Sequence, residues 1–199
     1  MVTIGLTGGI GCGKSYVADR MKLRGIPVYD SDYRAKLLTA TDPVIKLKLT
    51  RLVGPTLYCD CCGQFRKEVL AQFIFGNPDN MAQVNAIIHP RVKEDFRNWA
   101  AARKTKDFCI LESAILFESG FDGETDFTAC VDAPLELRIE RCIKRDSSTQ
   151  EAVMARIKSQ MDQAEKCRRA DFVIVNDNVQ PLEPQIDALI DKCKKTFNK

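Results

Sequence analysis

The segment that most constrains the fold of this chain is GGIGCGKS, residues 8–15. It fits the pattern G-x-x-x-x-G-K-[ST] at every fixed position, with a strand-like run at residues 2–6 before it and a helix-like run at residues 16–21 after it. Glycine permits the backbone dihedrals that turn successive N–H groups onto one anion, and the following helix adds the partial positive charge of its N-terminus. This order of strand, loop and helix predicts a nucleotide-binding loop rather than a glycine-rich turn that binds nothing.

The loop residues have predicted chemical uses. Lys14 is expected to reach the β- and γ-phosphates of a nucleoside triphosphate, and the Ser15 hydroxyl is expected to bind Mg²⁺. The predicted nucleotide contacts are Gly8, Gly9, Ile10, Gly11, Cys12, Gly13, Lys14, Ser15 and Tyr16.

Composition indicates a small globular protein. The chain has 199 residues, of which 45% are hydrophobic and 29% charged, and its formal net charge is +3. No run of lysine and arginine resembles a nucleic-acid-binding arm, and no apolar segment has the length of a membrane span or a signal peptide. We therefore expect a cytosolic protein with no nucleic-acid or membrane partner, while the sequence favours no particular oligomeric state.

The nine cysteines are scattered and odd in number, which favours reduced thiols. One cluster stands out at residues 59–63, CDCCG. A structural zinc site needs a second ligand pair at a suitable spacing, and the next candidates, His89 and Cys109, are each isolated in the sequence. We therefore predict a turn that binds no stoichiometric zinc.

Strand-like and helix-like segments alternate along the chain, which predicts an α/β fold with a parallel sheet covered by helices. Further strands are predicted at residues 25–29, 108–112, 127–131 and 172–175, and a terminal helix from Pro181 has one apolar side. Some 75 residues without a comparable strand separate the second and third strands. We expect a P-loop-type core formed by residues 1–32 and 101–199, with residues 33–100 inserted as a mainly helical lobe.

Two helix starts are predicted inside this lobe. Asp42 followed by Pro43 is typical of an N-cap and the first helical position. Asn77 and Pro78 begin another helix, whose predicted apolar face contains Met81, Val84, Ile87 and Ile88.

Asp30 and Asp32 follow the second predicted strand. Ligands of open α/β sheets bind at the carboxyl ends of the strands, and in extended backbone these two side chains share a face. The pair is predicted to address one hydroxyl and one metal ion; the alternative is a helix cap with a solvated acid.

Arg138, Arg141 and Arg145 recur at helical spacing and are predicted to share a face, as in a phosphate clamp. The alternative is a solvated basic face paired with Glu136 and Glu140. A second helix over residues 150–166 would complete a hairpin, so that residues 138–166 form a lid over ATP.

The ordered motifs resemble the dephospho-CoA kinase family nearly from end to end: IGLTGGIGCGKS, GIPVYDSD, NAIIHPRV, AILFE, RCIKRD and ADFVIVN. The resemblance implies ATP- and Mg²⁺-dependent phosphorylation of the ribose 3′-hydroxyl of dephospho-CoA. Two rival functions are another small-molecule kinase of this architecture, acting on nucleosides or nucleotides, and a non-catalytic nucleotide sensor.

The resemblance also implies roles for individual residues. Asp32 is the expected base, assisted by Asp30, and Lys14 and Arg141 act on the transferring charge, with Arg145 close behind. His89 and Glu118 fall among the expected acceptor-binding residues, although His89 before Pro90 is also explained by a kinked helix. Three positions depart from the family pattern: Tyr16, Ala114 and Glu112 replace threonine, proline and aspartate.

Overall fold

The computed structural model describes residues 1–59 and 61–198. The strands are β1 (Val2–Thr7), β2 (Val28–Asp30), β3 (Phe108–Glu112), β4 (Phe127–Asp132) and β5 (Phe172–Val175). The helices are α1 (Lys14–Leu23), α2 (Ser31–Thr41), α3 (Pro43–Val53), α4 (Lys67–Ile74), α5 (Pro78–Ala101), α6 (Leu135–Asp146), α7 (Gln150–Lys158), α8 (Gln163–Arg169) and α9 (Leu182–Phe197). The strands form one parallel sheet in the order β2-β3-β1-β4-β5, which confirms the predicted α/β class.

The register of the sheet aligns the carboxyl ends of its strands. Glu112 lies opposite Leu6 of β1 and opposite Asp30 of β2, and Thr7 lies opposite Cys130 of β4. β1 and β3 are buried along their whole length, as parallel strands covered on both faces should be. The glycine loop therefore leaves the sheet at the edge where ligands of α/β proteins bind.

The core of the sheet domain is closed by α1 and α9. Val17, Ala18 and Met21 of α1 are fully buried. The apolar side predicted for the terminal helix is confirmed: Ile186, Leu189 and Cys193 are fully buried, and Leu182, Ile190 and Phe197 pack against the core.

The chain divides into two compact units, one formed by Met1–Asp30 with Ala100–Lys199 and one formed by Ser31–Trp99. The second unit contains α2, α3, α4 and most of α5, a short 3-10 helix at Pro55–Leu57, and an isolated antiparallel bridge between Tyr58 and Phe65. Asp60 of the cysteine cluster lies outside the described residues. Among the helices of the described residues, none has the length and apolar composition needed to cross a bilayer.

The prediction of one helix over residues 150–166 is wrong, because the structure has two helices there. α7 ends at Lys158 and α8 begins at Gln163. Asp162 caps α8 by accepting a hydrogen bond from the Glu165 N–H at 3.1 Å, so the chain restarts a helix rather than continuing one.

The extended conformation assumed for Asp30 and Asp32 is also wrong. β2 ends at Asp30 and α2 begins at Ser31, which places Asp32 in the first turn of a helix. An acidic residue there is favoured by the positive end of the helix dipole. The argument that the two carboxylates share one face of a strand therefore fails.

The predicted cap at Asp42 is confirmed. Its Oδ1 accepts hydrogen bonds from the Val44 and Ile45 N–H groups, both at 2.9 Å. Arg91 of α5 donates to the other carboxylate oxygen at 2.7 and 3.1 Å. On α5 itself Val84 and Ile88 are buried as predicted, whereas Met81 is 44% exposed and does not belong to the buried face.

Asp42 is expected to make the stability of the second unit depend on pH. Burial works to raise the pKa of Asp42, but the hydrogen bonds from Arg91, Ile45 and Val44 outweigh it and lower the pKa below its usual value. The stabilisation of the second unit by the ionised Asp42 carboxylate is therefore present at neutral pH and is lost as the pH falls below about 4. Asp42→Asn should lower the free energy of unfolding by about 1–2 kcal/mol at pH 7 and by less in acid.

Urea unfolding at a series of pH values measures this difference. The matched control is Glu94→Gln, which removes an exposed partner of the same arginine and should cost under about 0.5 kcal/mol. A cost for Asp42→Asn that does not change with pH would contradict the assignment.

Candidate active site

The second half of the glycine loop forms the N-terminus of α1. Gly13 is the N-cap, with φ at +88° in the left-handed region, and no side chain caps the helix. A Cβ on Gly13 would lie 2.2 Å from Nδ2 of Asn176, which follows β5 and donates to the Cys12 carbonyl at 2.9 Å. Glycine is therefore required here for both its dihedrals and its size, and the first turn of α1 has no side-chain cap competing for its N–H groups.

The side chains of Lys14 and Ser15 bind different partners. Lys14 Nζ donates to the Gly8 carbonyl at 2.9 Å, across the loop. Ser15 Oγ donates to Oε1 of Glu112 at 2.9 Å, and Glu112, at the end of β3, is only 7% exposed. The hydroxyl and the carboxylate are both oxygen ligands of the kind that Mg²⁺ prefers.

Side chains from α6, α8 and the α7–α8 connection bind the first half of the loop. The Gly9 N–H donates to Gln163 Oε1 at 2.7 Å, and the Ile10 N–H donates to Gln160 Oε1 at 3.0 Å. Arg138 Nε donates to the Ile10 carbonyl at 3.0 Å. We call Arg138, Gln160 and Gln163 the loop brace, because together they satisfy three backbone groups of the loop.

The side chain of Gln163 uses both ends of its amide. While its oxygen accepts from Gly9, its Nε2 donates to the Val131 carbonyl at 3.1 Å and to Asp132 Oδ1 at 2.9 Å. It thereby ties the loop to the carboxyl end of β4. Of the common side chains only an amide offers an acceptor and two donors in this arrangement.

The three arginines of α6 have different surroundings, which the prediction of a shared clamp did not anticipate. Arg138 is 4% exposed and belongs to the loop brace. Arg145 is exposed at the other end of the helix, where it pairs with Asp146 at 2.7 Å, and Arg156 of α7 pairs with the same carboxylate.

Arg141 is the arginine of α6 that borders the phosphate loop and a cavity. Its Nη2 donates to Asn178 at 2.6 Å and to Asn176 at 3.4 Å, while its Nη1 is buried with no hydrogen-bond partner among the described residues. Nη1 lies 3.9 Å from the position that a Cβ on Gly13 would occupy. Because a buried cationic donor without an acceptor is costly, this arrangement suits an anion beside the loop.

The cavity beside Arg141 has a volume of about 670 Å³ and is also lined by Gly13, Tyr16 and Asn178. The Arg20 guanidinium lies over the Tyr16 ring, 4.8 Å from its centroid, and pairs with Glu183 at 3.3 Å. The cavity thus offers an aromatic ring, amide groups and the guanidinium groups of Arg20 and Arg141 next to the phosphate loop.

Glu118 has two partners inside the first unit. It pairs with Lys166 Nζ at 2.8 Å and accepts from the Met161 N–H at 2.9 Å. Lys166 is fully buried and also donates to the Ala114 carbonyl. These contacts join the segment after β3 to the α7–α8 connection, where Gln160 also lies. Asp30 is exposed at the end of β2.

Two predicted site residues belong to the second unit. Asp32 is exposed in the first turn of α2. His89 is half-buried in α5, directly before Pro90, which lies inside the helix. Burial, and then the positive charge of Lys93, lower the pKa of His89, so its imidazole is neutral at pH 7.

Sequence reasoning missed several residues of this arrangement, among them Asn176, Gln160, Gln163 and Lys166. Asn176 has a signal that went unused, since it follows β5 directly at the ligand-binding edge of the sheet. Gln160, Gln163 and Lys166 have no such signal, because a polar residue next to a helix break is usually solvated.

The sequence and the fold were compared with those of known proteins. A sequence model of the family described as dephospho-CoA kinase matches residues 2–181. The chain belongs to the dephospho-CoA kinase family. It is 50% identical to the dephospho-CoA kinase of Bacteroides fragilis over 95% of this chain and 91% of that protein. It is 45% identical to that of Porphyromonas gingivalis, over 96% and 94%.

Solved structures share the fold. A Thermus thermophilus crystal structure superposes with a TM-score of 0.82 at 30% identity, covering 98% of this chain and 97% of that one. The dephospho-CoA kinase of Campylobacter jejuni has a TM-score of 0.69 at 23% identity over 98% of both chains, which supports the fold. The family predicted from the motifs is confirmed, and the chain is a kinase of the dephospho-CoA kinase family.

Gln163→Glu should loosen the phosphate loop of this chain. The carboxylate still accepts from Gly9, but it cannot donate to Val131 and it repels Asp132. We expect a loss of about 1–3 kcal/mol in unfolding free energy. We expect about tenfold weaker ATP binding, which corresponds to about 1.4 kcal/mol.

Urea unfolding and calorimetric titration with ATP measure these two effects. Gln150→Glu, at the exposed first position of α7, adds the same charge away from the loop and is the matched control. If both variants behave like the original chain, the brace does not hold the loop.

Proposed function

We propose that this kinase transfers the γ-phosphoryl group of ATP to the ribose 3′-hydroxyl of dephospho-CoA, giving coenzyme A and ADP. The observation that carries the proposal is the buried Nη1 of Arg141, which has no hydrogen-bond partner within residues 1–59 and 61–198 and lies beside a complete phosphate loop, in a chain of this family. Phosphoryl transfer is catalysed mainly by positioning and by stabilising charge, and this arrangement can do both.

The proposed ATP site consists of the phosphate loop and the adjoining cavity. The N–H groups at the start of α1 and Lys14 bind the phosphates, and Arg141 directs its free donor at the transferring group. The adenine base of ATP lies in the cavity against Tyr16 and the amides of Asn176 and Asn178. Arg145 is a further candidate contact of ATP. To bind ATP it would give up its ion pair with Asp146.

The proposed Mg²⁺ ligands are the Ser15 hydroxyl and the Glu112 carboxylate. Their 2.9 Å hydrogen bond places two oxygen ligands together at the loop edge, and the donor set fits the ion. Bound there, Mg²⁺ would neutralise charge on the β- and γ-phosphates. Glu112 is one methylene longer than the aspartate usual in the family, and its burial fixes the position of its carboxylate.

The acceptor is assigned to the inserted lobe, residues 33–100, together with the acids at its start. Asp32 is the proposed general base for the ribose hydroxyl, and Asp30, two residues earlier at the end of β2, positions the acceptor or the metal. His89 is a proposed acceptor contact, and its neutral imidazole allows one donor and one acceptor.

Residues 138–166 are the proposed lid. The start of α6 and the α7–α8 connection are bound to the loop through Arg138 and Gln160, so any closing movement is confined to the hairpin between them. Glu118, which we propose as a substrate contact, also holds this connection through Met161.

A coupled assay of ADP formation with a panel of acceptors tests the function. Dephospho-CoA should support turnover, and nucleosides and nucleoside monophosphates should not. Turnover with a nucleoside instead would replace the proposal with another small-molecule kinase, and ATP binding without turnover would indicate a sensor.

Asp32→Asn should retain ATP affinity and lose about 10²–10⁴-fold in kcat, because the amide cannot accept a proton. The matched control is Asp79→Asn, since Asp79 is also an exposed acid in the first turn of a helix of the second unit. Steady-state rates with ATP and dephospho-CoA measure both variants. A loss for Asp32→Asn under about threefold would make it a positioning residue rather than the base.

Arg141→Lys should be a poor substitute although the charge is kept, because lysine lacks the planar guanidinium that binds two asparagines and a phosphate at once. If the contact is made mainly in the transition state, kcat and kcat/KM fall together with little change in KM. Arg168→Lys, on an exposed face of α8, is the control. A raised KM for ATP alone would indicate a ground-state contact instead, and an unchanged kcat would remove Arg141 from the catalytic residues.

A further inference from the structure

The second unit contains a convergent group of thiols that the kinase chemistry does not use. The Sγ atoms of Cys59, Cys61 and Cys62 all lie within 4.8 Å of one another, and those of Cys59 and Cys61 are 2.9 Å apart. Within residues 1–59 and 61–198, no other set of three histidine, cysteine or acidic side chains was found to converge in this way. Each thiol therefore offers one sulfur ligand to a common centre.

The backbone around these thiols forms a closed turn. Gly63 N–H donates to the Cys59 carbonyl at 2.7 Å, and Cys59 N–H donates to the Gln64 carbonyl at 2.9 Å. Gly63 adopts a left-handed φ of +67° that closes the turn. The bridge between Tyr58 and Phe65 continues the pairing beyond it. These hydrogen bonds hold the ends of the turn together, so that the three cysteines lie on one short segment.

Positive side chains stand near the cluster. Arg66 acts electrostatically on Cys61, and Lys46 Nζ lies 3.4 Å from the Gly63 carbonyl. Three thiolates around a monovalent ion carry a net charge of about −2, and these two cations would partly offset it.

The number of sulfur ligands selects the type of ion. Zn²⁺ in structural sites takes four protein ligands, and this group supplies three. Ca²⁺ and Mg²⁺ take oxygen ligands. Thiolates select soft ions, and Cu(I) is a soft ion that three thiolates satisfy without a fourth ligand. We infer that Cys59, Cys61 and Cys62 form a binding site for a soft monovalent ion of the Cu(I) type.

Binding at this site is a ligand exchange without electron transfer. The three thiols lose their protons to solvent or buffer as the three metal–sulfur bonds form, and the ion leaves its previous ligands. Cys61 and Cys62 are exposed, so the ion reaches the cluster from solvent. The inference does not depend on the proposed kinase reaction.

Competition for Cu(I) against a chromophoric chelator, bathocuproine disulfonate, tests the site on the full chain, reduced and under anaerobic conditions. Stoichiometric Cu(I) uptake is expected. Cys59→Ser, Cys61→Ser and Cys62→Ser should each weaken binding by about 100-fold or more, since even the loss of an outer-shell partner costs about 10–100-fold. X-ray absorption should show three sulfur neighbours.

The matched control is Cys167→Ser, which removes a half-buried thiol and leaves the cluster intact. It should keep the Cu(I) affinity, and thermal unfolding should show that the four single variants and the triple serine variant are folded. Unchanged affinity after triple serine substitution overturns the inference, as does equal weakening by Cys167→Ser. Stoichiometric Zn²⁺ that survives dialysis against EDTA, or a Cu(I) centre with two sulfur neighbours, also overturns it.

Discussion

The site depends above all on side-chain hydrogen bonds to the backbone of a loop that makes few backbone hydrogen bonds of its own. A glycine-rich turn has few internal partners for its N–H and C=O groups, and glycine pays a large entropic cost on ordering. Here Gln163, Gln160 and Arg138 bind Gly9 and Ile10, and Asn176 binds Cys12. The loop is held by these side chains, so its shape is a property of the whole domain.

Three of these side chains are positioned by different elements of the sheet domain. Asn176 is placed by β5, Arg138 by α6, and Gln163 by α8 with the carboxyl end of β4 behind it. A shift of any one element would therefore be transmitted to the loop. The loop also packs closely against the backbone of α6. A Cβ on Gly11, whose φ is +80°, would lie 2.3 Å from the Arg138 carbonyl oxygen.

The features that the sequence predicted depend on residues close together in the chain, and the features that it missed depend on contacts between residues far apart in the chain. The loop motif, the cap at Asp42 and the apolar face of α9 depend on residues within a few positions of one another, and these predictions are confirmed. The loop brace depends on pairs such as Gln163 with Gly9, 154 residues apart, for which a single sequence carries no pattern. The error at Asp32 came from a local competition, because the chain enters α2 at once instead of continuing the strand.

The burial of Cys12 has a consequence for chemical damage. Its thiol is fully buried, 2.7 Å from where a Cβ on Gly8 would stand, and its carbonyl is held by Asn176. Electrophiles and peroxides attack accessible thiolates, so they reach this sulfur only when the loop opens. A cysteine inside a phosphate-binding motif would be expected to make the protein sensitive to oxidation. The close packing that shapes the motif shields this thiol from it.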